Sequence, residues 1–177
     1  MNWDTKKELF FVLVLVCLFT HIVRSVYEIL KYKQILKPGK LSFVIIFINM
    51  VLLWMSWFLL CSLDIYRIDL PGIVRYSGIS LTVIGLLAFL IALFKIKTLE
   101  SYEGDLITTG IYSKIRHPMY LGFILWLIGF PLYTGALFSF FLSFLFIANI
   151  LFWRHLEEKE LEKRFQSYQT YKRRTLF

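Results

Sequence analysis

Five apolar runs dominate the chain, at residues 9–30, 41–63, 76–94, 118–133 and 136–153. A helix rises 1.5 Å per residue, so about 20 apolar residues cross a hydrocarbon core of roughly 30 Å. The first three runs are long enough to do so. Backbone groups in lipid must pair within their own segment, which leaves helices as the form such runs adopt. The fourth run is short and contains Pro131. It is expected to thin the bilayer locally or to turn back before crossing. The fold class that follows is an all-α integral membrane protein with about five transmembrane helices. Its last two helices form a hairpin through Thr134-Gly135, and an amphipathic helix follows them.

Composition agrees with this reading, since 58% of residues are hydrophobic and the mean hydropathy is +0.67, beyond what a soluble domain sustains. A single membrane domain over 1–177 is expected, with three spans in 9–94 and a functional core in 95–177. After the first run comes "HIVRSVYEILKY", which offers no small-residue cleavage site, so a retained signal anchor is expected. Cys17 and Cys61 lie inside apolar runs and read as small buried hydrophobes, with no disulfide and no metal site.

The formal net charge is +8. In a soluble chain that excess would point to nucleic acid, but here its distribution sets a topology. Of the 20 Lys and Arg, 16 fall in 24–40, 95–116 and 154–177, and four fall in the alternate segments. Basic loops stay in the cytoplasm, which puts the C-terminus inside and the N-terminus outside. The short chain reads as a multi-pass protein of a prokaryotic cytoplasmic membrane. Its charged partners are then membrane lipids and not nucleic acid.

The connector "KYKQILKPGK" carries a Pro-Gly turn, and Pro71 in "DIYRIDLPGIVR" marks the start of the third helix. Residues 95–117 form the longest polar interval between spans, with Gly104 and Gly110 favouring a loop. In the tail, Leu161, Phe165 and Tyr168 share one face at helical spacing. That pattern predicts a helix against the membrane surface or against the loop. His21 and Arg24 are expected to anchor the end of the first span. Asn49 and Asn149 are expected to hydrogen-bond between helices.

Polar chemistry concentrates at "KIRHPMYLG", Lys114 to Gly122. Pro118 pushes His117 toward extended backbone and suits the first turn of a helix. His117 therefore stands near a helix N-cap, beside N–H groups that attract anions. The hairpin brings Arg154 to Glu158 ("RHLEE") back to the depth of Arg116 to Tyr120. A cluster of this kind needs internal pairing or a polar ligand. Taken singly, the residues have plainer explanations: Arg154 pairs with Glu158 four residues on, Arg116 snorkels, and His117 caps. Their joint arrangement favours a site. No G-x-G-x-x-G, P-loop, paired-cysteine zinc pattern or H-E-x-x-H occurs in the sequence.

"LITTGIYSKIRHPMYLG", then a hairpin, then "RHLEEKEL" and "YQTY" resembles the isoprenylcysteine carboxyl methyltransferase family. These small membrane enzymes are related to phospholipid methyltransferases and use S-adenosyl-L-methionine without a Rossmann fold. The resemblance covers Leu106 to Tyr171. It implies that Tyr112, His117, Pro118, Met119 and Tyr120 line the cofactor pocket, with Leu106 and Ile107 as walls near the adenosine. It also implies that Glu158 and Glu157 hold the cofactor's amino group and that Arg154 lies on the acceptor side. His117 and Arg154 are then the candidate catalytic residues, and Arg154 the candidate substrate-binding residue. Two departures stand out: the family's Phe-Gly-x-x-Tyr tail is "RFQSY" here, and Gly104-Asp105 replaces a more basic or bulky pair.

The expected activity is methyl transfer from S-adenosyl-L-methionine to a lipophilic small molecule or lipid at the cytoplasmic face. A carboxylate acceptor needs no general base and could be oriented by Arg154. A hydroxyl or amine acceptor needs proton removal, for which His117 and Tyr120 are the candidates. Two alternatives are an NADPH-dependent membrane reductase related to sterol reductases, and a non-enzymatic membrane subunit. A reductase would need a 2′-phosphate site and further spans, whereas the Glu157-Glu158 pair suits an ammonium.

Overall fold

The computed structural model describes residues 2–96 and 105–177. Six α-helices make up the chain among the described residues. They are α1 (Trp3–Tyr32), α2 (Lys40–Leu63), α3 (Gly72–Ile96), α4 (Pro118–Thr134), α5 (Leu137–Arg164) and α6 (Tyr168–Arg174), with a 3-10 turn at Gly110–Ser113. Residues 97–104 of the expected polar loop, Gly104 included, lie outside the described residues. The first five helices alternate in direction. α1, α2, α3 and α5 are each long and apolar enough to span a membrane, and α4 is a shorter apolar helix.

α4 does not turn back short. Its far end is stitched to the α2–α3 connector, where the Leu137 N–H donates to the Tyr66 carbonyl at 2.8 Å and the Ile68 N–H to the Gly135 carbonyl at 3.0 Å. The turn requires Gly135: its φ is +70°, and an added Cβ would stand 2.3 Å from the Ile68 carbonyl oxygen. Beside it, the wholly buried Asp64 accepts hydrogen bonds from the Ser139 N–H and hydroxyl, both at 2.8 Å. Asp64 thus satisfies an unpaired donor in the first turn of α5.

α3 packs along α4 through paired glycines seven residues apart on each helix, Gly78 and Gly85 against Gly122 and Gly129. A Cβ at Gly85 would come within 2.6 Å of the Gly122 carbonyl, and one at Gly129 within 2.5 Å of the Gly78 carbonyl. Apolar helices gain little by hiding from lipid that is equally apolar, so association rests on such close backbone approach.

α1 sits between α2 and α5. Asn49 Nδ2 donates to the Thr20 carbonyl at 3.2 Å. Ser25 Oγ donates to Asn149 Oδ1 at 2.8 Å, and Trp153 Nε1 donates to Ser25 Oγ at 2.9 Å. Both asparagines therefore bond between helices, as expected. His21 and Arg24 differ from expectation. They are 5% and 4% exposed within the bundle, and the His21 ring stacks on Phe146 at 3.9 Å between centroids. The reason is that α1 presents this face to α5, a contact between the first and last spans. Cys17 and Cys61 are free and buried.

α5 continues well past the apolar run, to Arg164, where the chain bends through 165–167 into α6. The tail is therefore two pieces and not one helix. It docks on the loop before α4. Tyr171 donates its hydroxyl to the Tyr112 carbonyl at 2.6 Å, and a short parallel bridge pairs Ile115 with Leu176.

Candidate functional site

The start of α4 is built by Pro118 at the first helical position, which leaves His117 outside the helix with φ −124°. The His117 side chain makes no capping hydrogen bond to this N-terminus. A cavity opens here, at the end of the bundle that carries the C-terminus. Its empty volume is about 1140 Å³, counted out to the solvent-open mouth. One wall is Leu106, Ile107 and Tyr112 from the loop, and a second is His117, Pro118, Met119 and Tyr120 from α4. Glu157 and Leu161 close it from α5, and Phe165, Tyr168 and Tyr171 close it from the tail. The three tail residues expected to share a face, Leu161, Phe165 and Tyr168, thus all line the cavity.

Beneath the α4 end of the cavity lies an ion network. Glu158 Oε2 sits 2.7 Å from Lys172 Nζ, and its Oε1 sits 3.3 Å from both Arg116 Nε and His117 Nε2. Arg116 also donates to the Lys172 carbonyl at 2.8 Å and to the Thr175 carbonyl at 2.6 Å. The hydrogen bond to Glu158, with a second to Glu162, raises the Lys172 ammonium above its ordinary range, so it stays charged at neutral pH. Burial pushes the Tyr112, Tyr168 and Tyr171 phenols up as well. They remain neutral hydroxyls.

The structure brings most of the expected site residues together and separates the two glutamates. Glu157 lines the cavity, whereas Glu158 is 7% exposed and absorbed by its three basic partners behind the wall. Glu157 Oε2 lies 3.9 Å from His117 Nδ1. Arg154 lies outside the residues that line the cavity. Its guanidinium stacks on the Phe177 ring at 4.6 Å, and no Arg154–Glu158 pair forms among the described residues. The reason is geometric: the α5 face that carries Glu158 turns toward Arg116 and Lys172, and Arg154 stands beside the tail's end.

Several cavity residues escaped the reading of the sequence, two cations of α1 among them. Arg24 and Lys31, seven apart on α1, both line the cavity, with Met50 of α2. Helical spacing was the available signal, since Arg24, Glu28 and Lys31 fall on one stripe. What local sequence lacks is the packing of α1 beside α4 and α5.

Such a cavity offers an apolar slot, a ring of hydroxyls, a carboxylate and buried cations within one enclosure. A family model described as phospholipid methyltransferase matches residues 73–168, from the start of α3 to the start of α6 and more than half of the chain. No curated protein and no solved structure matches the chain.

Proposed function

We propose that this chain, which belongs to the phospholipid methyltransferase family, transfers a methyl group from S-adenosyl-L-methionine to a lipophilic acceptor at the cytoplasmic membrane face. The observation that carries the reading is the convergence on one cavity of Leu106, Ile107, Tyr112, His117, Tyr120 and Glu157. They come from three separate stretches of chain, and the cavity sits at the polar lip of a helical bundle.

The residues present suit the donor. Leu106 and Ile107 give an apolar slot for an adenine, Glu157 faces the space where an ammonium would stand, and the α4 N-terminus suits a carboxylate. When bound, the donor supplies an electrophilic methyl: its carbon bonds to an acceptor lone pair as the carbon–sulfur electron pair leaves with sulfur. The chain's own contribution is alignment of donor and acceptor within one cavity, which supplies much of such a rate. Glu157 holds the donor's amino group, and Glu158 positions the wall by locking Arg116, His117 and Lys172. His117 stands near enough to Glu157 to hold a proton released by a hydroxyl or amine acceptor. Arg154 stands outside the cavity lining and packs on Phe177 of the tail.

Titration of detergent-purified protein by calorimetry tests the reading. Saturable binding of S-adenosylmethionine and S-adenosylhomocysteine, with none of NADPH, is the expected result. NADPH binding without S-adenosylhomocysteine binding would establish a reductase instead, and binding of neither a non-enzymatic subunit.

A further inference from the structure

Arg24 is buried in a segment where charge is costly, and it is only partly paired. Its Nη2 meets Glu28 Oε1 at 2.5 Å, and the other Glu28 oxygen takes Lys31 Nζ at 2.9 Å. The guanidinium Nε and Nη1 have no hydrogen-bond partner among the described residues, although the side chain is 5% exposed. Arg24 lines the cavity on the side where Met50, Phe123 and Trp153 make it apolar, and its guanidinium carbon lies 5.8 Å from the Trp153 ring. Buried donors without acceptors are destabilising unless something fills them. An oxygen anion is the complementary group, and guanidinium binds carboxylate and phosphate well.

We propose that Arg24 anchors the acceptor, and that the acceptor is an amphiphile whose acidic oxygen group, a carboxylate or phosphate, sits on the free guanidinium N–H groups while its chain lies along Met50 and Phe123. This rests on the methyltransferase reading and adds to it the residue that holds the acceptor's acidic group. The donor's ammonium is placed at Glu157 on α5, and the acceptor's acidic group at Arg24 on α1. α1 lies outside the 73–168 stretch that the family model matches. Selection of the acceptor's headgroup thus belongs to this chain's own N-terminal helix.

The test uses full-length protein in an uncharged maltoside detergent, with dodecyl phosphate, dodecanol, inorganic phosphate and S-adenosylhomocysteine as calorimetric probes. Dodecyl phosphate should bind wild type at least about tenfold more tightly than dodecanol, the scale of one charge-assisted hydrogen bond. Arg24→Gln should abolish that advantage and leave S-adenosylhomocysteine affinity within about twofold, well inside one hydrogen bond's worth. Glu28→Gln, which frees the third nitrogen, should strengthen dodecyl phosphate binding. Where Arg24→Gln alone fails to fold because Glu28 is left unpaired, the Arg24→Gln, Glu28→Gln double variant carries the same comparison. Equal binding of dodecyl phosphate and dodecanol, or an advantage that survives the loss of Arg24, overturns the proposal. So does a parallel loss of S-adenosylhomocysteine binding, which would put Arg24 on the donor. Inorganic phosphate binding as tightly as dodecyl phosphate would mean a free anion and not an amphiphile. If S-adenosylhomocysteine fails to bind wild type while the dodecyl phosphate advantage depends on Arg24, the anchor stands and the methyltransferase reading falls.

Discussion

Arg116 Nε and Glu158 Oε1 meet at 3.3 Å although 42 residues separate them in sequence. The contact ties the start of α4 to the end of α5 and, through the Arg116 bonds to the Lys172 and Thr175 carbonyls, to the tail. Glu158 is thus the hub of a fold contact, and Glu157 its neighbour in the cavity. Glu158→Gln leaves the Arg116 and Lys172 cations short of their counter-charge, and breaking a buried pair one-sidedly costs about 3–5 kcal/mol. The partial exposure of Lys172 lowers the expected loss to about 2–3 kcal/mol. Glu157→Gln should leave the thermal melt nearly unchanged and weaken S-adenosylhomocysteine binding by about tenfold to a hundredfold, the worth of one charge-assisted hydrogen bond. Thermal melts and calorimetry on both variants check the division. The reverse pattern would move the ligand contact back to Glu158.

The α3–α4 seam predicts a position-specific cost for one methyl group. Gly85→Ala drives a Cβ into the Gly122 carbonyl at 2.6 Å, a backbone atom that cannot step aside. Overpacking of this kind costs about 1–3 kcal/mol or more. Gly72→Ala, at the first turn of α3, meets only the Tyr76 ring at 3.6 Å and should be neutral or slightly stabilising. Melting temperatures in one detergent compare the two. Equal melts would mean that α3 and α4 do not approach so closely.

The docked tail should open in alkali. The Lys172 ammonium is raised by Glu158, so its contribution is complete below the ordinary lysine range and is lost as pH climbs through the raised folded value. The buried phenols of Tyr112, Tyr168 and Tyr171 act in the same sense, because an exposed tyrosine ionises near pH 10 and a docked one resists. Spectrophotometric titration of tyrosinate should show a late-ionising group in wild type. Lys172→Met should shift part of it to the ordinary range. An identical curve for the variant would show that Lys172 does not hold the tail down.

The 16 basic residues of 24–40, 95–116 and 154–177, against four elsewhere, predict a cytoplasmic C-terminus. Reporters active on only one side of the membrane, fused after Phe177, should read inside. An outside reading would strip the cavity of its supply of a cytosolic donor.

Spans were legible because long uncharged runs have one physical solution in lipid, and Pro118 marked the start of α4 because proline suits a first turn. His117, Tyr120 and Glu157 could be placed in one region because a helical hairpin returns the chain to the same depth. Depth does not give rotation about the helix axis. Local sequence therefore could not say that Glu157 faces the cavity while Glu158 faces Arg116, nor that Arg154 turns to Phe177. It also could not say which span lies beside which, so Arg24 looked like an anchor. The glycine pairs of α3 and α4 were readable in principle, since both helices repeat Gly at intervals of seven.

The contact between the first and last spans sets a schedule for biosynthesis. When α1 leaves the ribosome, α2 soon supplies Asn49 for the Thr20 carbonyl. His21 and Ser25 must wait for Asn149 and Trp153, the last span to be made. Until then α1 holds a histidine and the Arg24, Glu28 and Lys31 charges against lipid or translocation machinery, a placement the bilayer penalises. The nascent protein is thus committed late. Its first helix becomes comfortable in the membrane only when its fifth arrives, and a chain stopped before Asn149 would present its own polar stripe to whatever surveys unassembled membrane helices.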